Sequence, residues 1–516
     1  MSPQQQAPMA TMIPATGMNN FMENSGGSRR ISPAGPPRPN QVRDCAASYP
    51  VQAFRAMLIP MFAALFTASL TAFPLGCTHA AVEDSGTPAT VGDVPYIGEH
   101  AELSQTSPMG RAWKRGIIHL HSPYSHDACD NNPMPGGVPD ENCLQDQRDG
   151  LCATREDYAF MTDHPDYASY QTYETMLLPR DDDQLLADGK IMTCSDGHVV
   201  TLMPGIEDEL MPIGLKRQVS LDAAENERIY NDSDQEAFDQ ERAAGAIVMQ
   251  AHTEGQDIDT LLSKQAMGLT GTEMFNLHAM VDPTKRQDDL GLDAYGYLDD
   301  IAPFLTGTTH AEPDMAFLAF YQQQDVSIER WDALNAVGPM VGTAGTDAHE
   351  NAIPSLMSDG ERVDSYRRMM IWFSNYLLVD GSDSGEPTPS DYQDAVAAGR
   401  LFVAFEILGE PGEWDVHYGD LEMGGTAPLG DDLVVTCPTL SPTSPQKDQA
   451  PDITVAVYKD GVLWHDGCGT FTPTEPGVYR AVATITPWQL SAFLDDQQQL
   501  IKPTPWLYSN ALRIGL

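Results

Sequence analysis

The sequence predicts an α/β fold, either a barrel of parallel strands or a doubly wound sheet, from three observations. Short apolar runs alternate with segments of helical or loop composition over about 290 residues. Each run is bounded by Gly, Pro or polar residues and suits a strand buried on both faces. Histidine or a carboxylate follows most of these runs directly, so polar groups far apart in sequence would gather where parallel strands end.

The runs, taken in order, are Gly116 to Ile118, Tyr158 to Met161, Val199 to Met203, Ala246 to Met249, Glu273 to Phe275 and Pro339 to Val341. After them come His119 and His121, then Thr162-Asp163-His164, Glu207, His252, His278, and Asp347 with His349. A strand alternates its side chains with period two, so His119 and His121 share one side, as do Asp347 and His349. Several polar groups at the ends of buried strands would cost several kcal/mol unless paired or metal-bound. Imidazole and carboxylate are the ligands that first-row divalent metals take. The i, i+4 spacing of a helical HExxH site is absent.

Downstream, Ser390 to Gly399 reads as a short helix with a Ser cap and a Gly stop, and Leu401 to Phe405 begins strand-like sequence. From about 406 the segments Asp432 to Thr436, Ile453 to Tyr458, Pro476 to Arg480 and Trp506 to Ile514 are divided by turns. They predict a β-sandwich with Trp414, Trp464 and Trp506 in its core. Residues 1–56 are rich in Pro, Gln, Asn, Met and Ser and read as a disordered tail. Residues 57–77 are uncharged and apolar up to Gly76-Cys77, which is secretory-signal composition, and 78–110 read as a linker. The Leu-Gly-Cys ending resembles a bacterial lipoprotein signal, with Cys77 lipidated. The expectation is export to a bacterial periplasm or outer membrane.

Composition excludes some classes. The chain has 516 residues, 29 of them basic and 74 acidic, for a net charge of −45. That field repels nucleic acid and anionic membrane surfaces. Setting aside Cys45 and Cys77, the remaining Cys129, Cys143, Cys152, Cys194, Cys437 and Cys468 favour disulfides in an exported chain. Their connectivity is open, although Cys437 and Cys468 lie in two strand-like stretches that one bridge would join.

The succession His119-x-His121, His126, Thr162-Asp163-His164, Glu207, His252, His278 and Asp347-x-His349 resembles the PHP (polymerase and histidinol phosphatase) superfamily. Within it the chain is most similar to the metal-dependent phosphoesterases grouped with the CehA/McbA hydrolases. The resemblance spans about residues 111–405. It implies a distorted (β/α)7 barrel, with the sandwich at 406–516 as an accessory domain, and three divalent ions of zinc, manganese or iron. His119, His121, Glu207, His252, Asp347 and His349 would hold the core metals, Glu207 bridging, and His126, His164 and His278 would complete the third. The position of His126 carries Asp in many relatives, and here Asp127 competes for the role.

The resemblance thus implies a phosphoesterase acting on a small molecule through metal-activated water. The same chemistry would serve an aryl ester or carbamate, and a non-catalytic metal-binding surface lipoprotein is the reading of a different class. Glu207 is central to catalysis. Asp163 is expected to orient a metal-bound imidazole, and it, His278 or a metal-bound water would protonate the leaving group. Arg155, Lys216, Arg217, Arg367 and Arg368 are candidate phosphate grips. His198 and His310 read as core or supporting histidines, and His79, His100, His417 and His465 as surface ones. Asp208, Glu209 and Glu350 read as solvated acids.

Overall fold

The computed structural model describes residues 100–381, 386–444 and 449–516. The expected tail and signal segment, most of the linker, Cys77 and His79 lie outside the described residues. In chain order the strands that position the site are β1 (Ala112–Leu120), β2 (Tyr158–Met161), β3 (Gln184–Leu186), β4 (Gly189–Thr193), β5 (Val199–Pro204), β6 (Met211–Ile213), β7 (Ile247–Gln250), β8 (Gly271–Asn276), β9 (Val341–Gly345), β10 (Ser374–Val379) and β11 (Leu401–Ala404). The fold is mixed α/β, with β2, β8 and β9 buried along their whole length.

The pairing falls into two ladders. Strands β1, β2 and β5 run parallel, extended past β5 by the antiparallel hairpin β3–β4, which the sequence reading missed. Strands β7, β8 and β9 run parallel in a four-stranded sheet, with β6 antiparallel to β7. Single bridges join the two, Leu120 to Ala348 and Gly205 to Ile213. The hydrogen bonding is therefore not the one closed seven-stranded ladder expected. Strand β1 pairs with β2 over Gly116 to Leu120, with a register shift between Ile117 and Leu120, and meets the β9 end at one residue.

Part of the C-terminal region continues the sheet of β1, while Val416–Tyr418, Leu421–Glu422, Leu433–Val435 and Gly469–Phe471 form a separate four-stranded sheet. Strand β10 pairs antiparallel with β1, β11 with β10, and Thr504–Ser509 with β11. Gly477–Thr486 then pairs with Thr504–Ser509, extending the same 13-stranded sheet. At the expected boundary, Phe405 N donates to Trp506 O at 2.9 Å. Around it Phe275, Phe317, Tyr321 and Phe373 pack against Phe405, and the Phe275 and Phe405 centroids are 5.0 Å apart. Burying these rings supplies much of the apolar driving force that ties the two parts together. Trp414 and Trp506 are fully buried, whereas Trp464 is half-buried.

Local details follow from side-chain chemistry. The helix expected from Ser390 is Pro389–Ala397, and its cap is Thr388, whose hydroxyl and Asp391 form a capping box with Pro389 in the first turn. Gly116 in β1 lies under the Tyr158 ring, where a Cβ would stand 2.3 Å from a ring carbon. The cysteines pair Cys129–Cys143, Cys152–Cys194 and Cys437–Cys468.

Candidate metal centre

Backbone hydrogen bonds tie the strand ends into one rim. Asp347 N donates to His119 O, Thr162 N to Leu120 O, Gly205 N to Met161 O and Glu207 N to Asp163 O. The ends of β9, β1, β2 and β5 are thereby held side by side, and their polar side chains meet. His252 and Asp347, after β7 and β9, have φ of 49° and 53°. Left-handed backbone at such residues is costly and concentrates at functional sites.

Five imidazoles share one orientation. Each has Nδ1 bonded to an oxygen, as follows. His119 donates to Glu273 Oε1 at 2.8 Å, His121 to Ser125 Oγ at 2.6 Å and His164 to Glu207 O at 2.8 Å. His252 donates to Glu254 Oε1 at 3.1 Å, and His349 to Asp347 O at 2.8 Å. With Nδ1 protonated and engaged, Nε2 carries the lone pair that a metal takes.

The Nε2 atoms converge. Those of His119 and His121 are 2.9 Å apart, and both lie within 3.5 Å of Asp347 Oδ1. His252 Nε2 is 3.2 Å from Asp347 Oδ2 and 3.7 Å from Glu207 Oε1. His349 Nε2 and His164 Nε2 face Asp127 at 3.5 and 3.7 Å. His349 Nε2 and Asp127 Oδ1 are buried without a hydrogen-bond partner. Ligand atoms close enough to share an ion form three overlapping triads: His119, His121 and Glu207; His121, His164 and His349; and His126, Asp127 and His164. Ring nitrogens 2.9 Å apart beside carboxylate oxygens, with orphaned buried atoms among them, fit divalent cations.

Electrostatics agree with that donor set. Burial and the neighbouring His349 push His121 well below the usual imidazole range, toward the neutral form that ligates. Burial alone would lower His119, but the charges of Asp347 and Glu273 raise it to about 9. Burial opposes ionisation of Glu207 and Asp347, yet the surrounding histidines hold both far below the carboxylate range. Burial alone would lower His164 and His252, yet Glu207 and Asp127 hold the first and Asp347 and Glu254 the second well above the usual range, so the carboxylates are balanced by protonated rings whose place divalent cations can take.

All nine expected metal residues border this cluster, at graded depth. His278 lies at the start of the helix Leu277–Val281, its side chain one-third exposed and its Nδ1 3.6 Å from Asp347 Oδ2. His126 is half exposed and paired with Asp166 at 3.0 Å, while Asp127 beside it points inward. Asp163 is buried behind the rim, accepting from Ser122 N, Ser122 Oγ and Ser125 Oγ. Burial raises it to about 6 against those bonds. It reaches His121 only through Ser125.

Several groups escaped the sequence reading. Glu273 bonds His119 with one oxygen and accepts from His252 N and Asn276 Nδ2 with the other. It lies over Gly345, where a Cβ would come 1.9 Å from its Oε1. The signal available was a lone acid inside a buried apolar run, which must be paired. Glu254 and Ser125 flank His252 and His126 in sequence and carried no such signal. Glu350, expected to be solvated, is buried, and burial raises it to about 7. Asp208 is half-buried and pushed up to about 6 by burial and by Glu207. His100, expected at the surface, is buried against Glu410 and Glu406. His198 is buried with Nε2 bonded to Glu156 O and Nδ1 facing Glu102 Oε1, and His310 is exposed.

The expected phosphate grips are engaged elsewhere. Arg367 pairs with Asp314 and Glu361, Arg368 with Asp314 and Asp359, and Arg155 with Glu102 and Asp196. Lys216 donates to Ser390 Oγ, and Arg217 to backbone carbonyls.

No family model matches the chain, and no curated protein matches it. Two solved structures are similar in part. PsfC from Pseudomonas syringae PB-5123 is 14% identical, with 55% of this chain and 89% of that one covered at a TM-score of 0.30. A two-domain protein containing a predicted PHP-like metal-dependent phosphoesterase from Bacteroides vulgatus ATCC 8482 is 13% identical, with 80% and 99% covered at 0.32. TM-scores this low carry no argument about activity.

Proposed function

We propose that the chain is a metal-dependent hydrolase that cleaves a small-molecule phosphoester. Divalent cations, up to three, would be held by His119, His121, His126, Asp127, His164, Glu207, His252, Asp347 and His349, with His278 at the mouth. The observation that carries this reading is the orientation of five imidazoles, each Nδ1 bonded to an oxygen and each Nε2 turned toward Asp347 or Asp127. Such cations, when bound, acidify a water and neutralise charge on a phosphoryl or carbonyl oxygen.

The chain's own residues do the rest. Glu207 reaches from His164 to His252, so its carboxylate links two parts of the ligand shell. Glu273, Glu254 and the Ser125–Asp163 pair hold the rings behind it in the ligating tautomer. His278 is solvent-accessible and stands beside Asp347, a position suited to protonating the leaving oxygen. Asp163, tied to two serines, acts on His121 rather than on substrate.

Hydrolysis of an aryl ester or carbamate is a second reading, favoured by one observation. The guanidiniums of Arg367 and Arg368 are already paired with carboxylates, leaving the cations themselves to neutralise a phosphate. Export, with Cys77 as lipid anchor, belongs to the same proposal and is supported by the three disulfides.

The test is to load purified protein separately with zinc, manganese and iron and assay phosphomonoester, phosphodiester and aryl carbamate substrates. Phosphoester turnover that His119→Ala/His121→Ala abolishes supports the proposal. Turnover of the carbamate alone selects the second reading, and bound metal without turnover of any substrate selects a non-catalytic metal-binding protein.

A further inference from the structure

The turn that follows Asp127 is strained, and a covalent bond holds it. Cys129, Asp130 and Asn131 have φ of 54°, 57° and 62°, three consecutive non-glycine residues in the left-handed region. L-residues visit that region singly and at a cost, so a run of three persists only when its surroundings impose it. Here Cys129 N donates to His349 O at 2.9 Å and Asp130 N to Glu350 O at 2.8 Å. The Cys129 side chain is bonded to Cys143, in the helix Glu141–Ala153, with the two Cα atoms 5.8 Å apart. The turn therefore hangs between the backbone of a ligand residue and a helix.

Its position sets the outer triad. Asp127, two residues before Cys129, is the carboxylate shared by His164 and His349, and His126 precedes it. A relaxed turn would carry Asp127 away from both rings, whereas His119 sits on β1, Glu207 follows β5, and His121 bonds Ser125, which precedes the turn.

We infer that the Cys129–Cys143 disulfide is a positioning device for the outer metal position, so that Asp127 and His126 hold an ion only while this bond is closed. The inference rests on the metal-centre reading and adds to it a dependence of loading on cysteine oxidation. Glycine takes positive φ without penalty. A chain lacking the disulfide but carrying glycine at the strained positions should therefore recover the turn.

The experiment titrates metal-free wild type, Cys129→Ser/Cys143→Ser, and Cys129→Gly/Asn131→Gly/Cys143→Ser with Mn2+ by calorimetry, with circular dichroism to confirm folding. Wild type should take up Mn2+ in two classes of site. The serine variant should keep the inner class and lose the outer one or bind it at least tenfold more weakly, and the glycine variant should regain most of that loss. If the serine variant fails to fold, the glycine variant read against wild type decides. An outer class unchanged in the serine variant, or a folded glycine variant that binds no better than it, overturns the inference. Wild type that binds no Mn2+ overturns the metal-centre reading itself.

Discussion

His119 and His121 point their Nε2 atoms at each other across 2.9 Å while an oxygen occupies the Nδ1 of each ring from behind. Held above the usual range, His119 carries a proton on Nε2 that neutral His121 accepts, and a divalent cation would take the place of that proton among the two rings and nearby Asp347. The account predicts that chelation by EDTA lowers Tm and that adding back divalent metal restores it, as expected for a ligand that binds only the folded chain. Thermal unfolding with and without metal checks this.

Glu273 bonds His119 Nδ1 and also accepts from His252 N, so it would orient two of the proposed ligand residues at once. Glu273→Gln is expected to leave the chain folded and to weaken metal binding about 10–100-fold, the usual effect of removing a carboxylate behind a ligand imidazole. Titration calorimetry reads this directly, and unchanged affinity would remove Glu273 from the account.

Arg115 is fully buried and pairs with Glu406 at 2.8 Å and Glu410 at 3.3 Å, with Tyr376 completing the network. Removing one partner of such a group strands the others in low dielectric. Arg115→Met is expected to cost about 3–5 kcal/mol of stability, read as a fall in denaturation midpoint, and to leave the metal ligands in place.

The same network makes stability depend on pH. Burial opposes ionisation of Glu410, but the hydrogen bond and charge of His100, with the charge of Arg115, lower it from 4.5 to about 2. A carboxylate depressed in the folded state stabilises above its unfolded value and loses that contribution as pH falls through the folded one. Stability should therefore drop between about pH 4.5 and 2, by an amount on the order of 3 kcal/mol from this group. Glu410→Gln should flatten that acid limb, as measured by denaturant midpoints across the range.

The convergence of the candidate ligands was legible because chemistry and period coincide. His119 and His121 end a buried strand two residues apart, and Asp347 and His349 do the same after β9. Glu273 was not legible, because an acid inside the run Gly271–Asn276 looks like an interruption of a strand until its partners are in view. Glu350 and His100 were misread for a related reason, since burial of a polar side chain depends on what covers it from distant parts of the chain. The single sheet that runs from β1 through Thr504–Ser509 was hidden by sequence distance: its short strands suggest a separate module, and only the pairing of β11 joins them. Asp127 shows a subtler limit. Its neighbour His126 carried the expected spacing, yet the left-handed turn that follows aims the carboxylate inward.

The most direct test of the metal centre is the metal content of purified protein, measured by inductively coupled plasma mass spectrometry after equilibration with zinc, manganese or iron and removal of free ions. The account predicts at least two first-row divalent ions per folded chain, with a loss of at least one in His119→Ala/His121→Ala. A folded wild-type chain that retains none of the three metals would contradict it.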